Sequence, residues 1–386
     1  MTTANPWPEE PIRAFASIGT GAKDTKDRTS NGSYPFFVRS QTVERIDSWS
    51  FDGEAVLTAG DGVGTGKVFH YIDGRFDYHQ RVYRISNFRT DVSGRYFFHQ
   101  FSANFLERIA SLTAKSSVDS VRMETIAGMQ IPLPTRMEQD RIAIAIDDAG
   151  ELVGQLRRVL AKKAAVKQAT MQQLLTGSTR LLNFSGSWVT VKLGEIAVIS
   201  DGTHQTPEYV DSGIPFYSVE HVTADDFTNT KFISAAAYEA MPVERRIERG
   251  DILMTRIGSI GDCKLVDWDV KASYYVSLAL LKINDWVSAP FVAQYSELTE
   301  FQREVESHSL MSAIPRKINL GPISDNEIRL PPTRAEQDAI ATALTEMDQE
   351  IVALRRRLKK AEAIKSAMTQ ALLTGRVRLP IQGAAV

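Results

Sequence analysis

Two stretches of the chain nearly duplicate each other, and this repetition constrains the fold more than any other feature. Residues 134–181 align without a gap on residues 332–379, 198 positions later, with 24 identities in 48 positions. A repeat of this kind marks two copies of one structural job. Both copies open with Pro-Thr-Arg-x-Glu-Gln-Asp and close on Leu-Leu-Thr-Gly. Thr135-x-x-Glu138 and Thr333-x-x-Glu336 have capping-box spacing, each behind a proline that a helix interior does not tolerate. Gly177 and Gly375 suit the left-handed position just past a helix C-terminus. The spacing predicts two helices of about 40 residues, roughly 60 Å each.

Apolar residues recur in steps of four and three. They fall at Ile142, Ile146, Ala149, Val153, Leu156 and Leu160 in the first copy, and at Ile340, Leu344, Met347, Ile351, Leu354, Leu358 and Ala361 in the second. That seam is narrow and fits pairing with another helix, whereas a helix lying on its own domain's core needs a wider face. Gly150 and Gly154 permit a bend in the first copy. Charge then sets the orientation. Acids crowd the first half of each helix and bases the second, with Glu362 out of order. This polarity suits each helix dipole by itself. It also makes a parallel pair repulsive and an antiparallel pair complementary. The two helices are therefore expected to form an intramolecular antiparallel coiled coil.

The repeats separate two blocks of different character, giving four segments: 1–133, 134–182, 183–331 and 332–386. Strand-like clusters at 54–58, 68–72, 81–85, 251–256, 264–267 and 275–283 alternate with helical stretches at 100–112 and 289–306. Ser33-Tyr34-Pro35-Phe36 corresponds to Gly213-Ile214-Pro215-Phe216, and Asp52–Leu57 to Arg249–Met254. The expected fold is α+β: two mixed α/β domains, separated by the two long helices and related by a pseudo-twofold axis. The domains are far less alike than the helices. They are expected to perform one operation on two different targets, held at opposite ends of a rod.

Composition removes several function classes. A single cysteine, Cys263, excludes a disulfide framework, and no Cys/His cluster has zinc spacing. The first residues lack the basic start and apolar core of a signal peptide, and no apolar run reaches bilayer length. A soluble, cytoplasmic protein without a membrane partner is the expectation. Gly60-Asp-Gly-Val-Gly-Thr-Gly-Lys67 fails as a phosphate loop, having Asp61 and Val68 at required positions, and Thr65 breaks the dinucleotide pattern. A recognition or hairpin loop is the better reading, with Gly258-Ser-Ile-Gly261 at the matching place. The histidines show no metal or triad spacing, and Asp262-Cys263-Lys264 lacks an upstream acid. No amino-methyltransferase tetrapeptide is present. The net charge of −2 hides a division: each repeat carries about +3, leaving about −8 on the rest. Phosphate contacts would have to come from local patches such as Lys23, Lys26, Arg28 and Arg39, or Arg75, Arg81 and Arg84, or Arg303, Arg316 and Lys317.

The paired Pro-Thr-Arg-x-Glu-Gln-Asp and Leu-Leu-Thr-Gly motifs resemble those of the specificity subunit of a type I restriction–modification system. So do Trp188-x4-Leu193-Gly194-Glu195-Ile196, Ile214-Pro215-Phe216, Gly250-Asp251-Ile252-Leu253 and Ser259-Ile260-Gly261, and the block–helix–block–helix order covers nearly the whole chain. The first block departs from the pattern, because Pro11–Gly19 lacks the Trp-x4-Leu-Gly-Glu start. The resemblance implies two target-recognition domains, each reading half of a split double-stranded DNA site. It implies spacer helices that set the gap and dock two DNA adenine methyltransferase subunits, with restriction/translocase subunits joining. The chain itself would be non-catalytic and carry no cofactor, S-adenosylmethionine and ATP/Mg being bound by the partners. Residue types that read base edges single out Lys67, His79, Gln80, Arg81, Ser116 and Ser117 in the first domain. In the second they are His204, Gln205, Arg256, Ser259, Tyr274, Tyr275, Ser312, Arg316 and Lys317. Two rivals stand beside this reading: a self-contained nuclease or methyltransferase, and a coiled-coil scaffold that never touches DNA.

Overall fold

The structure is a computed structural model that describes residues 6–112, 120–310 and 312–380. The chain divides into two compact units, Met1–Arg157 with Arg357–Val386, and Arg158–Arg356. Each unit thus holds one globule and part of both long helices, a different partition from the four segments drawn on the sequence.

The first unit begins with β1 (Glu9–Pro11), β2 (Ser17–Thr20), β3 (Tyr34–Phe37), β4 (Glu44–Ile46), β5 (Phe51–Ala59), β6 (Phe69–Tyr78) and β7 (Val82–Ser86). Helices α1 (Gly94–Leu112) and α2 (Met123–Ala127), strand β8 (Gln130–Pro132) and long helix α3 (Arg136–Leu175) follow. Six strands form one sheet in the order β2-β7-β5-β6-β3-β4. Its centre is β5, where Ala55, Val56 and Leu57 are fully buried. Phe97, Phe101 and Phe105 recur every fourth residue along α1, and this row lies against the sheet with Phe101 edge-on to Phe69 at 5.5 Å.

The second unit runs through β9 (Val189–Lys192), α4 (Leu193–Ile196), β10 (Ala197–Asp201), β11 (Tyr209–Val210), β12 (Ile214–Tyr217), α5 (Val219–Ala224), β13 (Lys231–Ile233) and α6 (Ala235–Glu239). It continues with β14 (Ile252–Thr255), β15 (Cys263–Leu265), β16 (Ser273–Tyr274), β17 (Leu278–Ile283), α7 (Ala289–Tyr295), α8 (Thr299–Ser307), α9 (Leu320–Ser324), β18 (Glu327–Leu330) and long helix α10 (Arg334–Leu373). Here the strands form two four-stranded sheets, β10-β17-β14-β15 and β11-β13-β12-β16. The weak sequence correspondences prove structural. Phe36 and Phe37 pair in parallel with β6, as Phe216 and Tyr217 pair in parallel with β16. Both Asp52–Leu57 and Arg249–Met254 enter the central strand of their domain, β5 or β14. The stretch 289–306, read as one helix, is two: the chain becomes extended at Leu298 (ψ 138°), whose side chain is 1% exposed. Burying Leu298 wins over helix continuity.

Both long helices are 40 residues. They run antiparallel. In the first unit Ile142, Ala143 and Ile146 of α3 share a core with Leu372 and Leu373 of α10; in the second, Met171, Leu174 and Leu175 of α3 share one with Ile340, Ala341 and Leu344 of α10. Between these ends the predicted seam holds, with Val153, Leu156 and Ile351 buried. Opposite charges meet across it: Lys163 with Glu350 at 2.8 Å, Lys167 with Asp348 at 2.7 Å, and Arg157 with the out-of-order Glu362 at 2.6 Å. The acids at the start of α3 serve elsewhere. Asp147, for example, binds Arg95 and His99 of α1.

The capping-box expectation is half right. Thr135 and Thr333 accept from the amides of Glu138 and Glu336 at 3.4 and 3.3 Å. The glutamates, however, do not turn back on the cap. Glu336 is fully buried and takes a two-pronged bond from Arg180 at 2.6 Å on both oxygens; Glu138 takes one from Arg378 at 2.8 and 2.7 Å. Arg180 and Arg378 each follow the end of the opposite long helix, so a guanidinium fork offers a carboxylate more than a cap amide does. The next residue completes the motif. Gln139 accepts from the Ser93 amide, and Gln337 from the Ser288 amide, each at 2.8 Å and each at the start of a domain helix.

The first block's start is also corrected. Trp7 lies over Gly375 as Trp188 lies over Gly177, and Trp7-x4-Ile12 stands where Trp188-x4-Leu193 stands in the second block, with Ile12 and Leu193 both fully buried. β1 pairs with β8 as β9 pairs with β18. Only the Leu-Gly-Glu letters differ.

Two predictions follow from this packing. Arg180→Ala strands a buried carboxylate, and such a loss costs about 3–5 kcal/mol; chemical denaturation should show it, while Glu336→Gln with Arg180 retained should cost less. His70, His79 and His99 all have their pKa lowered by burial, and all belong to the first unit. A depressed folded value means that their stabilising contribution is full above the ordinary histidine range of about 6.5 and is lost as pH falls through the lower folded values. Melting curves from pH 8 to pH 5 should therefore show falling stability below about 6.5, and His99→Gln should flatten that slope.

Candidate nucleic-acid interface

In each domain the loops at one end of the central strand are laced together by backbone bonds. In the second domain, Arg256 N–H donates to Ser277 O and Ile318 N–H to Arg256 O, both at 2.9 Å, while Val276 N–H donates to Thr203 O at 3.0 Å. The first domain repeats the lacing at 2.8 Å: Gly60 to Arg81, Val121 to Gly60, and Gln80 to Lys23. Close approach is enforced by two glycines. A Cβ on Gly21 would lie 1.9 Å from Tyr78 O, and one on Gly202 would lie 2.1 Å from Tyr274 O. Both glycines let the first loop cross directly under the turn that carries candidate residues.

The first-domain candidates fall into two groups. His79, Gln80 and Arg81 share the turn between β6 and β7, and Lys67 is exposed at the end of the glycine-rich loop. That loop turns through left-handed Gly62 and Gly66, as its counterpart does through Gly258 and Gly261. Arg81 is 64% exposed and 3.5 Å from Asp61, which also holds Arg39 at 2.9 Å. Gln80 is exposed and donates to Asp24 at 3.3 Å. His79 is not a surface group. Its ring is 3% exposed, its Nδ1 accepts from the Arg81 amide at 2.8 Å, and burial lowers its pKa. Ser116 and Ser117 lie outside the described residues.

In the second domain a cluster around the buried Asp201 carboxylate gathers several candidates. Asp201, at the end of β10, accepts from Arg256 Nη1 at 2.8 Å and from His204 Nε2 at 2.9 Å, both on Oδ2. Arg245 stands 3.8 Å from its other oxygen. Arg256 is 7% exposed and also donates from Nε to the Ile318 carbonyl at 3.1 Å and from Nη1 to the Val276 carbonyl at 3.3 Å. It ties loops together from inside the domain. Tyr274 is fully buried, its hydroxyl 3.3 Å from Ser200 Oγ, and burial pushes its pKa up to about 12. These two side chains, chosen for base contact, serve the interior. The surface is left to His204, Gln205, Ser312 and Lys317, with Tyr275 half-buried against Phe216. Beside Asp201 a recess of about 300 Å³ opens between Thr203, Phe216, Met241 and Arg245. A second cleft of about 460 Å³ is bordered by Ser259, Arg303, Glu306 and Arg316. Ser259 donates to Asp262, and Arg316 pairs with Glu306 at 2.8 Å.

Asp201 and Asp61, each holding two arginines, organise these loops, a role assigned to neither from the sequence. Choosing by base-reading chemistry passes over acids, although Asp201 and His204 stand three residues apart in the sequence.

The chain matches the family described as the type I restriction modification DNA specificity domain over residues 6–161 and 186–363. It belongs to that family, and the two matched regions are two copies of its DNA specificity domain, each running into a long helix. Among curated relatives, it is 28% identical to the type I restriction enzyme EcoDI specificity subunit of Escherichia coli over 42% of this chain, spanning about a third (34%) of that relative's length. It is 23% identical to the MjaVIII specificity subunit of Methanocaldococcus jannaschii over 84% of this chain and 79% of that one. In fold it resembles the S subunit of the type I restriction–modification system from M. genitalium, with a TM-score of 0.67 at 16% identity, covering 99% and 98% of the two chains. A chain from a structure of type I complex assembly and conformational transition aligns with a TM-score of 0.54 at 18% identity, covering 98% and 100%. Among the described residues no helix is long and apolar enough to cross a membrane.

The close crossing at Gly202 gives a test. Gly202→Ala puts a methyl group inside the contact distance of the Tyr274 carbonyl, and melting of the variant should begin several degrees below the parent.

Proposed function

We propose that the chain is the DNA-addressing subunit of a type I restriction–modification complex, without catalytic activity of its own. The first domain reads one half of a bipartite site and the second domain the other. The paired long helices set the gap between the half-sites and dock two adenine methyltransferase subunits. S-adenosylmethionine and ATP/Mg belong to the methyltransferase and restriction/translocase partners, and the complex works in the cytoplasm. The observation that carries this reading is duplication with divergence. The lock residues Thr, Glu, Gln and Arg recur in both repeats, while the residues at corresponding loop positions differ: Asp24 stands in the place of His204, and Gln80 and Arg81 in the places of Val276 and Ser277.

Base contacts add, so each wrong base is expected to cost about 1–3 kcal/mol. Phosphate contacts must come from the exposed bases near the loops and from the partners, since the blocks outside the repeats carry net negative charge. Binding by the chain alone should be weak and should tighten when methyltransferase is added.

Replacing residues 1–133 with the corresponding domain of another specificity subunit should change one half of the methylated sequence and leave the other half and the gap intact. Sequencing modified adenines in cells that carry the complex reads all three quantities. A swap that alters both halves defeats the modular reading.

A further inference from the structure

We infer that Asp201 is a positioning residue that fixes the tautomer of His204, so that the second domain reads a base presenting an amino group in the major groove, adenine or cytosine. The inference deepens the function proposed above and rests on it. An ionised carboxylate only accepts, so the 2.9 Å contact between Asp201 Oδ2 and His204 Nε2 requires the proton on Nε2. In the neutral ring Nδ1 is then an acceptor. The side chain is 69% exposed, and among the described residues its ring makes the one hydrogen bond through Nε2 and none through Nδ1. An acceptor offered to the major groove finds its partner in adenine N6 or cytosine N4; guanine and thymine present acceptors there.

Asp201 is itself held for this task. Its carboxylate is 11% exposed and is braced by Arg256, whose side chain is 8% exposed, so the carboxylate has little freedom to turn away from the imidazole. Arg245, at 3.8 Å, is the second guanidinium facing it. The first domain lacks the device. The bridge between Thr203 and Tyr275 corresponds to that between Lys23 and His79, which puts Asp24 in the place of His204. The matching backbone bonds put Gly60 in the place of Arg256. An unlike corner on a shared frame is what two unlike half-sites require.

The test maps adenine methylation in cells carrying the methyltransferase with the parent chain, His204→Ala, His204→Lys or Asp201→Asn. The parent should show one second-half position restricted to adenine or cytosine. His204→Ala should relax that position about tenfold or more and leave the first half-site unchanged. His204→Lys, which only donates, should move the preference at that position toward guanine or thymine. Asp201→Asn should relax the same position. Long-range ¹⁵N–¹H spectra of the chain at pH 8 should show the Nε2–H form of His204 in the parent and a mixture in Asp201→Asn, with the backbone amide spectrum otherwise unchanged to set apart loss of packing. Unchanged second-half specificity in His204→Ala overturns the inference while leaving the proposed function standing. So does relaxation at a position that is guanine or thymine in the parent. A parent complex that methylates no bipartite site overturns the function and the inference together. Because His204 is exposed, its variants keep the test decisive even if Asp201→Asn fails to fold.

Discussion

The structure depends on two buried carboxylates at the starts of the long helices. Glu138 and Glu336 are 3% and 0% exposed, and neither is tolerable there without a cation. Each finds it just beyond the end of the other helix, on Arg378 or Arg180. A lone helix satisfies neither glutamate. Only an antiparallel pair brings a first turn beside the opposite tail, so the charge pairs select orientation as well as stabilise it. The alternating apolar seam would tolerate several registers; a two-pronged bond at fixed residues does not.

That constraint explains why the repeat motif is so long. Thr caps the first turn, Glu takes the arginine, and Gln reaches the amide of Ser93 or Ser288. The left-handed glycines at the far ends lie under Trp188 and Trp7. Each of these letters is occupied by its own contact, three of the four kinds reaching a different segment, which leaves little room for change. The loops beyond the central strands carry the opposite demand. Backbone bonds hold their course, so their exposed side chains are free to differ between the two domains. One frame thereby supports two chemistries: an Asp24–Gln80 contact in the first domain and an Asp201–His204–Arg256 cluster in the second.

Much of this was legible in the sequence. The repeat, helix ends, seam and charge polarity gave the antiparallel pair, and turn signals gave the central strands of both domains. The misses have physical causes. The break at Leu298 carries no glycine or proline, because burial of one side chain drives it. The Trp7-x4-Ile12 start was hidden because the letters after it differ while the buried positions persist. Arg256 and Tyr274 have the right chemistry for bases but point inward, since side-chain direction at a loop edge is set by neighbours distant in sequence.

The amino-acid sequence alone determined that the protein would be built from two unlike domains and two matched antiparallel helices, because periodicity, capping and charge order are local properties that survive without coordinates. Which arginine satisfies which glutamate was decided only by the tertiary structure. So was which histidine faces solvent and which ion cluster holds it there. Those pairings join residues as far apart as 240 positions, and a buried charge chooses its partner by distance in space.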